Sequence, residues 1–278
     1  MSNLRELFAA RFVLTALAFR DIRGQYRSTL LGQLWSLANP LTQMLVYTFV
    51  FSFVFRVQSA PGDPSGLNVY ALYLLCGLIP WSLFQSAVTT GMSSLMVNAN
   101  LINKVYFPRL VIPFAAIVAT AYNSLFEFSV LTIALLVAGA FVLPWLPLAL
   151  LLIVTLLVFA TGIALMLSIA NLHFRDTQYL VSVIFQVWMW MSPIIYPITL
   201  VEERSASVGP LFGTGITLLS IYEINPLVHF ITVFRELMYD NRLPNLTDSL
   251  TCVVWALVSV SIGLLVFARN EKRLAELV

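Results

Sequence analysis

Charge is what this chain has least of. Its 278 residues include 15 Lys and Arg and 13 Asp and Glu, 10% of the total, where a soluble domain carries about 25%. Hydrophobic residues make up 60%, against roughly 45 to 50% in such a domain, so water is not the solvent for most of its surface. It is an integral membrane protein. A net charge of +2 gives no reason to expect nucleic acid as a partner. Cysteine is nearly absent, and the only two, Cys76 and Cys252, lie in apolar runs, where a thiol serves as a small hydrophobe rather than as half of a disulfide or a metal ligand. Lysine is equally scarce. Lys104 and Lys272 follow Asn103 and Glu271, so no Gly-Lys pair exists, and with it goes the Walker A phosphate loop. His173 and His229 each stand alone, there is no G-x-S-x-G elbow, and no Asp-x-Asp pair occurs. These absences argue against hydrolytic and metal-dependent catalysis, and no metal site or cofactor is expected in this chain.

What the sequence does have is length in its apolar runs. Six of them, 32–55, 69–92, 110–141, 146–170, 179–200 and 250–268, reach the roughly 20 residues that span a bilayer. With the N-terminus inside, eleven Arg and Lys fall on the inner side and four on the outer, which satisfies the positive-inside bias and puts both termini in the cytoplasm. The reading is one all-α membrane domain over 1–278. Residues 1–31 form a cytoplasmic interface helix, 32–200 hold five spans, 201–249 are external, 250–268 make the sixth span and 269–278 a cytoplasmic tail. Residues 1–27 carry five Arg and no unbroken apolar core, so no cleavable signal peptide is expected. Instead Asn3 can cap a helix in which Leu4, Leu7 and Phe8 recur at helical spacing, with Phe12, Phe19 and Ile22 extending an apolar side. Such a helix lies in the interface, its arginines at the inner headgroups.

Between the second and third spans sits a polar island, 97–113, with three Asn, one Lys and one Arg. Asn98 or Asn100 can cap a short helix there, and Pro108 can end it. Two uses fit: a knob that receives force from a soluble partner, or a turn whose Lys104 and Arg109 only anchor topology. The outer segment 211–222 is too short to cross and too apolar for water, which favours a re-entrant or interfacial hairpin turned by Gly209, Gly213 and Gly215. Next, Asn225 and Pro226 supply a cap and a first-turn proline. The following residues set Leu227, Phe230, Ile231, Phe234, Leu237 and Met238 on one side and His229, Thr232, Arg235 and Glu236 on the other, the pattern of an amphipathic helix on the outer surface.

Breakers interrupt two spans. Gly77 with Pro80, and Ser192 and Pro193 with Pro197, are expected to kink or end their helices and free backbone groups that protein or trapped water must satisfy. Glu127 is the one acid well inside a span and must face protein or water. It contacts substrate or carries coupling, or else it bonds Tyr122, Asn123 or a neighbouring helix. Aromatic residues, 13% of the chain, crowd the spans. Most such rings form belts or pack helices, and a minority can line a path for sugars, whose C–H faces sit well on flat rings. Trp35, Tyr47, Phe51, Phe55, Trp188, Trp190 and Tyr196 are the candidates.

Three stretches together resemble one family. The first runs from Phe19, Arg20, Asp21 and Ile22 through Arg23, Tyr26, Arg27 and Gly32 to Trp35, with Asn39 and Pro40 following. The second joins Gly77, Pro80 and Trp81 to Asn98, Leu101, Lys104, Val105, Tyr106, Phe107, Pro108, Arg109 and Pro113. The third is Phe174, Arg175 and Asp176 with Ser192, Pro193, Tyr196, Asn225 and Pro226. They are similar to the permease subunits of polysaccharide-exporting ABC transporters, the type-2 permease family that includes O-antigen, lipid-linked glycan and teichoic acid exporters. The resemblance implies a homodimer of six-span subunits in the plasma membrane of a bacterium, bound to two copies of a separate ATPase that holds the Mg-ATP, with 211–222 as outer gate helices and a lipid-linked polysaccharide as cargo. It also implies an ATPase-coupling element at Asn98, Asn100, Lys104, Tyr106, Phe107, Pro108 and Arg109, with a second contact at Phe174, Arg175 and Asp176. Arg20, Arg23, Tyr26 and Arg27 are then placed to admit the lipid pyrophosphate. Rival readings are a type-2 permease for a drug or small lipid, a membrane-embedded glycosyl- or acyltransferase, and a passive channel or scaffold.

Overall fold

The computed structural model describes residues 10–25, 32–54, 61–105, 107–210 and 215–271. Among them every regular element is helical. In chain order the helices are α1 (Arg11–Gln25), α2 (Trp35–Thr48, prolonged by a wider turn Phe49–Val54), α3 (Tyr70–Val97), α4 (Ala99–Lys104), α5 (Val111–Val137), α6 (Leu146–His173), α7 (Thr177–Trp190), α8 (Ile198–Val208), α9 (Leu218–Glu223), α10 (Pro226–Arg235, prolonged through Glu236–Asp240) and α11 (Leu246–Asn270). Four stretches are long and apolar enough to cross a bilayer unaided: Tyr70–Val97, Val111–Val137, Leu143–His173 and Leu246–Asn270. The fifth span, read over 179–200, is broken where its Ser-Pro pair leads one to expect. α7 has 14 residues, about 21 Å at 1.5 Å per residue, and Ser192, Pro193 and Pro197 then hold the chain out of helix until α8. Gly77 and Pro80 end nothing, for α3 runs through both.

α3 is the centre of the bundle, 78% buried along its apolar window against 28% for α11. It packs between α5 and α6, and α6 carries α11 on its far side. Inside lipid no hydrophobic force draws helices together, so close approach must do it. At the α6–α11 crossing a Cβ on Gly162 would run into the backbone of Ser259, and one on Gly263 into the backbone of Gly162, while Ser259 Oγ donates to the Phe159 carbonyl at 2.8 Å. Bulkier contacts fill the middle. Phe84 stacks on Phe159 at 5.5 Å, and Phe159 on Phe230 at 5.6 Å.

On α1 the side that meets the bundle is Leu17 and Ala18, both buried, whereas Phe12 and Phe19 are 74% and 60% exposed, turned away from the protein as the apolar side of an interfacial helix is; Asn3, Leu4, Leu7 and Phe8 lie outside the described residues. One expectation needs correction. The amphipathic helix expected on the outer surface is α10, and it is inserted into the bundle against α3, α6 and α11. Its polar side is buried too, including His229, Arg235 and Glu236. Conversely α9, within the stretch read as re-entrant, shows Ile221 and Ile224 to the surface. The cap at Asn225 is as expected: its Oδ1 accepts from the Leu227 N–H at 3.0 Å. Asn245 likewise caps α11 by accepting from the Thr247 N–H at 3.1 Å.

Candidate functional site

Chemistry-bearing residues gather at the two ends of the bundle. At the end holding α1 and α4, Asn98 occupies the cap position of α4, but its side chain does not cap. Its Nδ2 donates to the Ser94 carbonyl at 2.9 Å, closing α3, and its Oδ1 accepts from Arg20 Nη2 at 2.7 Å, pinning α1. Arg20 also grips Asp21 Oδ1 with Nε and Nη2 at 3.0 and 2.8 Å. α4 ends at Lys104, ahead of Pro108, whose carbonyl instead accepts from the Val111 N–H and opens α5. Ile102 of α4 is buried with Leu17, Leu110, Ile112, Ile169 and Phe267, and Phe107 packs against that same cluster. Arg109 Nη1 donates to the Glu271 carbonyl at 2.6 Å, tying the start of α5 to the end of α11. Asn100, Lys104, Phe174, Arg175 and Asp176 are exposed on the same end. Tyr106 falls outside the described residues, as do Tyr26 and Arg27; Arg23 is exposed.

The opposite end answers where the backbone groups freed at 191–197 go. Asn225 Nδ2 donates to the Met191 carbonyl at 2.9 Å and to Ser192 Oγ at 3.1 Å, and its Oδ1 accepts from Trp188 Nε1 at 2.8 Å. Arg235 donates to the carbonyls of Pro193 and Ile194, and Tyr70 to that of Ile195 at 2.8 Å. The Arg235 guanidinium also lies 3.7 Å from the Tyr73 ring centroid, a cation–π contact that desolvation strengthens. A side chain on Gly77 would strike it and Ile194, so the α3 glycine makes room for the clasp. Other groups on the polar side of α10 are also met: Glu236 accepts from Arg242 at 2.8 Å and from the Asn245 N–H at 3.2 Å, and the His229 ring lies 2.7 Å from Asp248 and 2.9 Å from the Glu223 carbonyl. At the rim, burial pushes the Asp240 carboxyl up to about 6 against the opposing pull of Arg242.

The aromatic residues singled out from the sequence separate into groups. Tyr47 and Trp190 meet edge to face at 6.4 Å, and the Tyr196 hydroxyl donates to the Trp190 carbonyl at 2.8 Å and contacts the Tyr222 hydroxyl at 3.1 Å. Phe51 stacks on Tyr70 at 6.4 Å. Trp188 turns inward among Phe84 and Phe185, Trp35 stands exposed at the far end of α2, and Phe55 is outside the described residues. Glu127 accepts from Ser82 on α3 at 3.2 Å. One set of residues was missed. Gln178, Ser182 and Gln186 are exposed along α7, spaced by four so that they form one stripe, and that spacing was readable.

An all-helical bundle with four described helical stretches long and apolar enough to cross a bilayer defines a multi-pass membrane protein. The chain belongs to the ABC-2 type transporter family, whose model matches residues 13–239, which makes it a transport subunit. It is 31% identical over 276 residues to the O-antigen export system permease protein RfbA of Klebsiella pneumoniae, covering 99% of this chain and 97% of that one. Similarity extends to RfbA of Myxococcus xanthus, 28% over 278 residues and 98% of each chain, and to the polysialic acid transport protein KpsM of Escherichia coli, 24% over 271 residues, 92% of this chain and 93% of that one.

Proposed function

We propose that this protein is the permease of an ATP-driven exporter that carries a lipid-linked polysaccharide across the plasma membrane of a bacterium, as a homodimer bound to two copies of a separate ATPase. The observation that carries the reading is likeness along nearly the whole chain to permeases named for O-antigen export. Both termini then lie in the cytoplasm, and the α1 and α4 end is the inner one. ATP-driven closure of the partner presses on Lys104 and the exposed residues Phe174, Arg175 and Asp176. Because Ile102 and Phe107 share a packed cluster with α1, α5, α6 and α11, the push travels as a rigid body rather than being lost in a loop. Arg23, exposed on α1, holds the pyrophosphate at the headgroups. The glycan passes along the Gln178, Ser182 and Gln186 stripe and the Tyr47, Trp190 and Tyr196 rings, with the segment 211–222 as the outer gate.

The test is a deletion strain. Loss of the chain is expected to trap completed lipid-linked glycan on the inner leaflet, and an ATPase subunit should co-purify with the protein from detergent. Normal surface glycan in the deletion strain would overturn the reading, and normal glycan with failed efflux of a drug would transfer it to a small-molecule exporter.

A further inference from the structure

A cleft of about 470 Å³ opens between α1, α3 and α5 beside the Arg20–Asn98 contact. Its polar lining comes from Arg20, Asp21, Thr90, Ser93, Asn98 and Thr120. A hydroxyl has one proton and two lone pairs, and here the protons are turned inward. Ser93 donates to the Thr89 carbonyl at 2.9 Å; the Thr90 oxygen lies 2.6 Å from the Ser86 carbonyl, that of Thr120 3.0 Å from the Ala116 carbonyl, and the two hydroxyls are hydrogen-bonded at 3.0 Å, so one spends its proton on the other and the second on its carbonyl. What these side chains offer a ligand is therefore acceptor oxygen. Asp21 adds a carboxylate oxygen beyond the one Arg20 holds, and Arg20 Nη1 supplies a donor. A phosphate is all acceptor and negative; it finds one donor here and a carboxylate that repels it. A polyhydroxyl ring brings the donors that the wall lacks, and Val97, Ala116 and Ala119 in the same wall suit its C–H face.

We propose that the cleft is a sugar subsite, which takes the first pyranose of the lipid-linked glycan and sets a vicinal pair of its hydroxyls on Asp21, Ser93 and the Thr90–Thr120 pair. This rests on the exporter reading and adds to it a recognition of sugar separate from recognition of phosphate. Gly24 is part of the lining, and its neighbour Arg23 is exposed beside it, where a pyrophosphate attached to the sugar would lie.

The experiment uses the full chain in lipid nanodiscs and a polyprenyl pyrophosphate carrying one diazirine-bearing hexose. Photolabel is expected on the α3 and α5 peptides that contain Thr90 and Thr120. Labelling should fall tenfold or more in Thr90→Val, Ser93→Ala, Thr120→Val and persist in Thr90→Ser, Thr120→Ser, which keeps the hydroxyls and the fold. An unlabelled hexose-bearing lipid should compete, and bare polyprenyl pyrophosphate and inorganic pyrophosphate should not. Label elsewhere, equal labelling of the triple variant, or equal competition by the bare lipid would overturn the proposal. Glycan export by intact cells reads the other claim: a chain that exports but labels elsewhere loses the cleft alone, and one that labels here without exporting loses the exporter alone.

Discussion

Arg235 sits where an arginine is costly to keep, at 7% exposure inside a membrane protein, and it persists because the Ser-Pro break leaves carbonyls that only a forked donor reaches together. A buried acceptor stripped of its partner costs about 1–3 kcal/mol. Arg235→Met should therefore lower stability by roughly 2–5 kcal/mol, two such acceptors being stranded, and Arg235→Lys should recover only part, since an ammonium lacks the planar fork and stacks less well on Tyr73; thermal unfolding in detergent measures both. At the rim, Asp240 has its folded carboxyl pushed up to about 6 from an ordinary 3.8. The folded state then holds the proton more tightly than the unfolded one, so stability is highest below about 3.8 and declines as pH rises toward 6. Asp240→Asn is expected to flatten that part of the profile, and unfolding midpoints at pH 4, 5, 6 and 7 in the two proteins would expose a profile that stays unchanged.

At the scale of elements, α10 shows what periodicity can and cannot carry. The three-and-four spacing of Leu227, Phe230, Ile231, Phe234, Leu237 and Met238 gave its helix correctly, and Asn225 with Pro226 gave its cap. It gave the wrong surroundings, because a polar side is equally well met by water or by protein, and the partners of Arg235 and His229 lie 41 or 42 and 19 residues away along the chain. The long spans were legible because a bilayer sets their length, and the end of α7 was legible because Pro193 and Pro197 cannot continue a helix. α4 separates two roles that the sequence merged. Lys104 is exposed at its end, while Arg109 is bonded to the Glu271 carbonyl at 2.6 Å. Lys104→Glu is expected to weaken capture of the ATPase about tenfold, roughly 1.4 kcal/mol, with an unchanged melting temperature; Arg109→Ala should lower the melting temperature by a few degrees. Pull-down titration and thermal melts on the same preparations would show the reverse pattern if the roles were exchanged.

For the whole molecule, the proposed homodimer must place one flank of the bundle against a second copy. Exposed apolar side chains cannot decide it, since lipid accepts them as readily as protein does. Val183 and Val187 of α7 are 59% and 55% exposed and Leu257 of α11 is 58% exposed. The polar side chains do decide it. The outer side of α11 carries Leu250, Val254, Leu257 and Leu265 with Ser261 among them and suits lipid, whereas α7 shows Gln178 and Gln186, amides that lipid leaves unsatisfied, on either side of Ser182, whose hydroxyl donates to the Tyr179 carbonyl at 2.7 Å. α2 joins α7 through Tyr47 and Trp190 and completes that flank with Leu45, Phe49 and Phe53, which are 66%, 60% and 73% exposed. A dimer closed across α2 and α7 encloses the stripe in water between two copies. Cys76 and Cys252 are free and buried, so an added thiol reports with little background. Val187→Cys in native membranes should give a cross-linked dimer with a short bis-maleimide, and Leu257→Cys should stay monomeric on the gel. The opposite result would put the dimer axis at α11, leave the α7 amides facing lipid, and remove them from any passage for the glycan.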